Sequence, residues 1–295
     1  MNPMNVIFPW LVHYGIGSEN KRNNKNSDEF ERVIKDVCEK SEDNDSVYKQ
    51  VLNTGQFDKV QVYKDIMTLL FAGHETTSKS LCSAMYQLKK HPEIEAKLRR
   101  ELHEVLLDNG KNTVEDLSLI LCHEKLDKLE YLTCFVKEVL RHDLPAVRSL
   151  GYKSKTSFKL GDILIPKNQI ITLNMIASHY NEEQWREPMK FIPERFDPSS
   201  EYFLTPDGKS RNPLSWCPFT FGVRTCPGRS LGLMELKILL IYFMLTIDYE
   251  VDEELLKNED IAFAILSPFA LEIKIKDVHI NQIQIEEAKQ TVGSN

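Results

Sequence analysis

The sequence lacks the marks of a disulfide-rich or membrane-spanning protein. Its 295 residues contain six cysteines with no C-x-x-C pair and no regular spacing, and no secretory signal precedes them. This pattern predicts reduced thiols rather than a disulfide framework or a zinc knuckle. The only apolar run near the start, "MNVIFPWLV", is about half as long as the roughly 20 residues of a transmembrane helix. We therefore expect no membrane anchor in this chain.

The sequence also lacks an excess of basic residues and any internal repeat. Its formal net charge is -7, and acidic and basic residues are spread along the chain. This distribution predicts no nucleic-acid partner and no attraction to an anionic membrane surface. A hydrophobic content of 42% is enough for a sizeable core, in one large or two ordinary domains.

The composition changes twice along the chain. Residues 18–29 and 39–46 are polar and low in complexity, which predicts mobile loops around a short amphipathic segment, "FERVIKDVC". A long helical pattern then runs from Lys59 to Lys90 and ends at a His-Pro breaker. Because this helix is apolar on most faces, we expect it in the interior. We divide the chain into partial helices and loops (1–56), a core (57–276) and a polar tail (277–295).

Helical and strand patterns alternate in the rest of the core. Helices are predicted over 91–110, over 128–142 and, after the last glycine-rich turn, over 229–245. Two β-rich runs flank a Pro-Lys-Asn turn within 157–176, and two more flank Ser-Pro within 261–277, so each pair predicts a hairpin. The predicted fold class is mainly α with small β-sheets.

The stretch "FTFGVRTCPGRSLG" places a cysteine, Cys226, directly before the last helix. Backbone N–H groups and the positive end of the helix dipole favour a thiolate there, which can act as a ligand or a nucleophile. Arg224 supplies a cation suited to a carboxylate, while Gly222 and Gly228 allow a tight turn and close approach to a flat group. The alternative is a buried structural cysteine.

A polar cluster, "AGHETTS" (72–78), interrupts the apolar pattern of the long helix. Such a cluster costs free energy unless its groups are hydrogen-bonded, and a hydroxyl can bond to a carbonyl one turn earlier and open the helix locally. The alternative is a notch that faces solvent. A zinc site of the H-E-x-x-H type is excluded, because Ser78 stands where the second histidine is needed.

An E-x-x-R pattern places Glu138 and Arg141 on one helix face. This spacing is typical of surface ion pairs, and it also occurs at Glu19/Arg22, Glu29/Arg32 and Glu183/Arg186. Only the Glu138 copy lies in an apolar helix and is followed at a distance by "FIPERF". Its position, rather than its spacing, favours a buried pair.

The pattern F-x-x-G-x-R-x-C-x-G, met by Phe219, Gly222, Arg224, Cys226 and Gly228, resembles the haem-binding loop of the cytochrome P450 family. The resemblance implies that Cys226 is the axial thiolate on the iron of haem b. It also implies that Arg224 pairs with a haem propionate and that Phe219 packs beside the sulfur. An axial thiolate pushes electron density onto the iron and favours O–O cleavage.

The "AGHETTS" cluster is similar to the oxygen-activation motif of that family. The resemblance implies that Glu75 and Thr76 relay protons through water during oxygen activation, which is general acid catalysis. It further implies that Ala72 leaves room above the haem and that Phe71 faces the substrate pocket.

The E-x-x-R and P-E-R-F elements resemble the family's structural triad, here Glu138, Arg141 and Arg195, which holds the cysteine loop in place. The resemblance covers roughly residues 57–276, with four motifs in the family's order. One departure is "RHDLPAVRS", where the family has Pro-Pro; it affects Arg148, the implied second propionate partner. A second is Pro227, which follows the cysteine where many members have Ile or Val. The largest is that about sixty residues precede the oxygen helix, so the chain resembles a C-terminal portion of the fold.

The resemblance implies a monooxygenase that uses dioxygen and electrons from an NADPH-dependent reductase to hydroxylate or epoxidise an apolar small molecule. Full-length relatives suggest the cytosolic face of the endoplasmic reticulum membrane. Besides Ala72, the implied pocket residues are Phe71, Ala146, Val147, Pro268 and Phe269. Two alternatives remain at this point: a haem-thiolate isomerase or dehydratase that uses peroxides, and a non-catalytic haem-binding fragment.

Overall fold

The computed structural model describes residues 18–40, 46–107, 116–252 and 271–278. The chain divides into two compact units, unit 1 (residues 1–75) and unit 2 (residues 76–295). The α-helices are α1 (Ser18–Lys40), α2 (Val47–Asn53), α3 (Lys59–Lys90), α4 (Pro92–Val105), α5 (Leu117–Ile120), α6 (His123–Asp127), α7 (Glu130–His142), α8 (Met175–His179) and α9 (Arg229–Thr246). Short 3₁₀ helices cover Pro193–Phe196, Glu201–Phe203, Pro213–Ser215 and Gly222–Arg224.

Three two-stranded antiparallel sheets complete the described fold. The strands are β1 (Tyr152–Lys153), β2 (Phe158–Leu160), β3 (Ile163–Ile165), β4 (Ile170–Ile171), β5 (Ile247–Val251) and β6 (Ile273–Val278). β1 pairs with β4, β2 with β3, and β5 with β6. The predicted class, mainly α with small sheets, is confirmed. No helix among the described residues is long and apolar enough to cross a bilayer.

In unit 1, α1 and α2 pack around the first turns of α3. Ile34 and Cys38 of α1 meet Tyr48, Val62 and Tyr63 in one buried cluster. The sequence predicted a loop over residues 18–29, and this was wrong, because α1 includes them. Once the buried turns of α1 have formed, each further residue adds one hydrogen bond at small entropic cost, so a polar stretch can continue the helix.

Helix α3 has the predicted bounds but not the predicted burial along its whole length. Its C-terminal half contributes Ala84, Met85 and Leu88 to the interior of unit 2. In unit 1, by contrast, Phe71 is 66% exposed and the preceding Leu70 is also exposed. An apolar face is buried only where another element packs on it, and no described residue covers this part of α3.

The core of unit 2 lies between α4, α7 and α9. Each helix offers apolar side chains three or four residues apart, the spacing of one helix face. Buried members of this core include Leu98 and Leu102 on α4, Leu132, Phe135 and Val139 on α7, and Leu236, Leu240 and Met244 on α9. Helix α7, which carries the E-x-x-R pattern, is therefore buried between its neighbours.

The first predicted hairpin has a different turn from the expected one. β2 and β3 join through Gly161 and Asp162, whereas the chain after Pro166 returns to pair with β1. Gly161 has a φ of 59°. A two-residue turn with a glycine in the left-handed region fits the twist of paired strands. The hairpin therefore turns at Gly161-Asp162 and not at Pro-Lys-Asn. Most of the second predicted hairpin lies outside the described residues, and its described strand, β6, pairs with β5.

Candidate active site

The loop around Cys226 is built by its own backbone. The amide of Cys226 donates to the carbonyl of Phe219 over 2.9 Å, and the amide of Thr220 donates to the carbonyl of Cys217 over 3.0 Å. Thr220 and Gly222 have φ values of 57° and 73°. A threonine in the left-handed region is uncommon, so its neighbours must hold it there. The loop is thus a fixed turn rather than a flexible connection.

The thiol of Cys226 is open to solvent. Cys226 is exposed, and Arg229 begins α9 three residues later. Gly228 has an ordinary φ of −84°, so its backbone does not require glycine. However, a Cβ at Gly228 would lie 3.8 Å from the Sγ of Cys226, so a longer side chain would cover the sulfur. The glycine therefore keeps one side of the thiol accessible.

The loop and the first turn of α9 expose large apolar side chains, and a cation lies two residues before Cys226. Phe221, Val223 and Leu231 are large apolar side chains that are all exposed. Arg224 is exposed as well, and no described carboxylate forms an ion pair with its guanidinium. An apolar surface with an uncompensated cation favours a ligand that has an apolar face and a carboxylate edge.

Phe219 lies on the inner side of the loop. Its ring packs against the core of unit 2 and meets the ring of Trp216 edge to face, with centroids 6.5 Å apart. The indole N–H of Trp216 donates to the carbonyl of Lys137 on α7 over 3.1 Å. The aromatic pair therefore ties the loop to the buried helix.

The structure brings Glu138, Arg141 and Arg195 together in the interior of unit 2. Arg141 donates to both carboxylate oxygens of Glu138, at 2.7 and 2.8 Å, and the Nε of Arg195 lies 3.3 Å from Oε1 of Glu138. The side chains of all three residues have no exposed surface. Glu138 also accepts from the amide of Ile192 over 2.8 Å. This carboxylate is shared between two buried cations.

Backbone carbonyls complete the coordination of both guanidinium groups. Arg141 donates to the carbonyls of His179, Pro188 and Lys190 over 2.9, 2.9 and 3.1 Å. Arg195 donates to the carbonyls of Arg186, Glu187 and Lys190. The cluster therefore fixes the course of residues 179–195, the long irregular segment that precedes the cysteine loop.

Of two other E-x-x-R copies, one forms an ordinary surface ion pair and the other forms no ion pair between its own two residues. Arg32 contacts Glu29 over 2.5 Å with both side chains exposed. Arg186 pairs with Glu201 instead of Glu183. The side chain of Glu19 lies outside the described residues. Spacing alone thus does not distinguish the buried copy, but its position in an apolar helix does.

The polar cluster of α3 lies on an uninterrupted α-helix. The hydroxyl of Ser80 donates to the carbonyl of Thr76 over 3.0 Å without a break in the helix, so the expected local opening is absent. In unit 2, the hydroxyl of Thr77 lies 3.4 Å from a carboxylate oxygen of Glu235 on α9. Thr77 therefore faces the helix that begins after Cys226. Phe71, Ala72 and Glu75 belong to unit 1.

The segment after α7 carries the remaining predicted residues of unit 2. Ala146 packs beside a buried cluster that includes Cys217, and the carbonyl of Val147 accepts from Met175 over 3.1 Å. Arg148 is exposed and forms an isolated bridge with Asn174. Pro268 and Phe269 lie outside the described residues.

The sequence analysis missed a buried network at the end of α7. The carboxylate of Asp143 accepts from Gln87 over 2.9 Å and from the hydroxyl of Ser83, and it lies 3.0 Å from Nδ1 of His142. Burial alone would raise the pKa of Asp143, but the attraction of His142 and the hydrogen bonds hold that pKa below its ordinary value. This network joins α7 to α3, and its partners are too far apart in sequence for a local motif to indicate them.

Comparison with known proteins decides the family. The sequence profile described as "Cytochrome P450" matches residues 4–270. The chain belongs to the cytochrome P450 family. Cytochrome P450 4F4 of Rattus norvegicus is 33% identical over 179 residues, which are 60% of this chain and 31% of the relative. The steroid 17-alpha-hydroxylase/17,20 lyase of Mesocricetus auratus is 26% identical over 92% of this chain and 55% of the relative.

A solved P450 structure supports the fold. Retinoic acid-bound cyanobacterial CYP120A1 aligns with a TM-score of 0.66 and 23% identity, over 84% of this chain and 55% of that chain. The chain spans between 31% and 55% of the length of these two curated relatives. The comparison therefore establishes the family and the fold, and the activity of the whole protein has to be argued from its residues.

The residues of the loop fit the haem that the P450 family implies. Thiolate sulfur is a soft ligand suited to iron, and the thiol of Cys226 is exposed on a fixed turn with Gly228 beside it. The exposed side chains of Phe221, Val223 and Leu231 match an apolar macrocycle. The cation of Arg224 matches a propionate.

Proposed function

We propose that the protein is a haem-thiolate monooxygenase of the P450 family, in which Cys226 binds the haem iron. The observation that carries this proposal is the exposed Cys226 on a hydrogen-bonded turn that also exposes apolar side chains and Arg224, which forms no ion pair with a described carboxylate. When bound, a haem with a thiolate ligand supplies the chemistry that activates dioxygen for insertion into an apolar substrate. An NADPH-dependent reductase would supply the electrons.

Each residue of the loop has a role in holding the cofactor. The sulfur of Cys226 is the ligand, and Gly228 leaves space beside it. Arg224 and Arg148 would orient the haem by pairing with its propionates, because a guanidinium binds a carboxylate in a bidentate way. The cluster of Glu138, Arg141 and Arg195 holds no cofactor atom itself; it fixes the protein segment from which the loop departs.

Glu75 and Thr76 would hold and move the proton that oxygen activation consumes. A carboxyl and a hydroxyl on adjacent residues can pass a proton through water, which is general acid catalysis. Within unit 2, Ala146 and Val147 would contact the apolar substrate. Phe71 and Ala72, on the preceding turn of α3, keep this role as what the family resemblance implies. The names of two similar proteins refer to a steroid and to retinoic acid, so these apolar compounds are suitable first probes.

Thr76→Ala is expected to uncouple electron use from product formation. The hydroxyl orders the proton path without touching the sulfur, so haem content should be unchanged, while a larger share of NADPH consumption ends as hydrogen peroxide. The measurement is the ratio of peroxide to NADPH with the reductase and with a steroid or retinoic acid as a probe. Thr76→Ser should restore coupling, and Thr68→Ala, whose hydroxyl bonds to Lys64 on the same helix, is the matched control.

The spectrum of the reduced, carbon monoxide-bound protein tests the proposal most directly. A strongly red-shifted Soret band is expected if a thiolate holds the iron. Product formation from a hydroperoxide without any reductase, together with unchanged coupling in Thr76→Ala, would instead favour the isomerase or dehydratase reaction. Absence of haem from the purified chain would overturn the proposed function.

A further inference from the structure

His179, the last residue of α8, is buried with no exposed surface, and each nitrogen of its ring meets a backbone group. Nδ1 lies 3.1 Å from the carbonyl oxygen of Arg141, and Nε2 lies 2.9 Å from the amide nitrogen of Cys217. A carbonyl can only accept and an amide can only donate. The proton must therefore be on Nδ1, and Nε2 must be the acceptor, which fixes one neutral tautomer.

The two groups that His179 joins belong to the buried triad and to the cysteine loop. Arg141 pairs with Glu138 on α7. Cys217 begins the loop, since its carbonyl accepts from Thr220 over 3.0 Å, and the carbonyl of Phe219 then accepts from Cys226 over 2.9 Å. Three hydrogen bonds in succession thus lead from the ring of His179 to the backbone of Cys226.

A second tie runs beside the first. The indole of Trp216, the residue before Cys217, donates directly to the carbonyl of Lys137 on α7. Lys137 and Arg141 are four residues apart, so their carbonyls point along the same side of the helix. One contact would leave the chain free to rotate, whereas two contacts at adjacent residues fix its direction as it enters the loop.

We propose that His179 is a positioning residue for Cys226, which holds the start of the cysteine loop at a fixed place relative to α7 through the Arg141–His179–Cys217 bridge. This inference rests on the proposed function, because the position of Cys226 matters for haem ligation. The bridge itself is a property of the protein without cofactor, so it can be measured separately.

Two substitutions that differ by one methylene separate the two hydrogen bonds. The amide of His179→Asn can reach the position of Nδ1 and donate to Arg141, but it cannot reach Cys217. The longer amide of His179→Gln reaches the position of Nε2 and can accept from Cys217. We expect the hydrogen-exchange protection factor of the Cys217 amide to fall about tenfold in the Asn variant, as for the loss of one hydrogen bond, and to stay near the parent value in the Gln variant.

His91→Asn is the matched control. His91 is another partly buried histidine, which stacks on Phe191 and has its nearest carboxylate partner in Glu93. Its replacement should leave the protection of the Cys217 amide unchanged. In the haem-loaded protein, His179→Asn should lower the share of the reduced carbon monoxide complex that has the red-shifted band, and His179→Gln should restore it.

The pH dependence of hydrogen exchange at Cys217 is a second readout, which would be absent if His179 only filled space. The charged groups that act on the ring are Arg141 and Glu138, both from α7. Burial lowers the pKa of His179 from 6.5 to about 4. The fold thus favours the neutral ring, so its stabilisation is complete above pH 6.5 and is lost as the pH falls towards 4.

The protection factor of Cys217 should accordingly fall as the pH approaches 4 in the parent, because a protonated Nε2 becomes a donor facing a donor. The Gln variant has no ionisable side chain at position 179, so the protection factor of its Cys217 amide should not show this fall. If His179→Asn does not fold, this comparison of the parent with the Gln variant decides, and an identical acid response in both overturns the proposal.

The outcomes distinguish the two levels of the argument. A parent chain without haem overturns the proposed function, and the exchange data still decide whether His179 holds the loop. Normal haem spectra in His179→Asn overturn the positioning role and leave the proposed function intact. If exchange of the Cys217 amide is unchanged, His179 does not hold that amide; if exchange is faster, the bridge exists but does not set the position of Cys226.

Discussion

Cys226→Ser is expected to abolish the red-shifted Soret band of the reduced carbon monoxide complex. A hydroxyl is a far weaker electron donor than a thiolate, and the iron would lose the ligand that gives the band its position. Apolar burial could still retain part of the haem, because the exposed side chains of Phe221, Val223 and Leu231 remain. The measurement is the difference spectrum, together with haem content per chain.

Cys122→Ser is the matched control for this experiment. Cys122 is also a free and exposed cysteine, and it lies in the connection between α5 and α6. Its replacement should leave the spectrum and the haem content unchanged. A red-shifted band that persists in Cys226→Ser would mean that another thiol binds the iron.

The cysteine loop was predictable because its chemistry is local. Five positions within ten residues, Phe219 to Gly228, define the turn, and the main-chain bonds of that turn close within the same segment. Helices α3 and α7 were predictable for a similar reason, since their apolar periodicity extends over many turns.

The connections between distant segments were not predictable from the sequence. His179 lies 38 positions after Arg141 and 38 positions before Cys217, the two residues that it joins. Its helix has only five residues, which is too short for a periodic pattern to indicate which side is buried. The same holds for Asp143, whose partners Ser83 and Gln87 lie 60 and 56 residues earlier. Each of these contacts depends on tertiary packing.

The prediction of burial was wrong at the helix turn that contains Phe71, which is apolar but exposed. Periodicity predicts that such a face is buried, but it cannot identify the partner that buries it. Residues 18–29 failed for a related reason. Their composition indicates a loop, yet residues 18–29 form the N-terminal half of a helix whose C-terminal half is anchored by the buried residues Ile34 and Cys38. Local composition is a weaker guide than the helix nucleus beside it.

The largest loss of stability is expected for Glu138→Gln. Among the described residues, Glu138 is the one carboxylate that forms ion pairs with both Arg141 and Arg195, and all three side chains are fully buried. Removing one partner from a buried ionic cluster leaves uncompensated charge in a region of low dielectric, which typically costs about 3–5 kcal/mol. Carbonyl oxygens around the two arginines reduce this cost, but a dipole does not replace a full countercharge.

The free energy of unfolding of Glu138→Gln can be followed by tryptophan fluorescence in a denaturant titration. Trp185 lies 5.3 Å from the guanidinium of Arg141, and Trp216 is tied to the same helix, so both report on this part of unit 2. Glu124→Gln is the control, because its ion pair with Lys128 is exposed and its loss should change the free energy of unfolding little. A loss in Glu138→Gln as small as that of the control would show that the backbone carbonyls alone hold the two cations. The cluster would then fix the course of residues 179–195 without needing its carboxylate, and the cysteine loop would depend on Trp216 and His179 for its position.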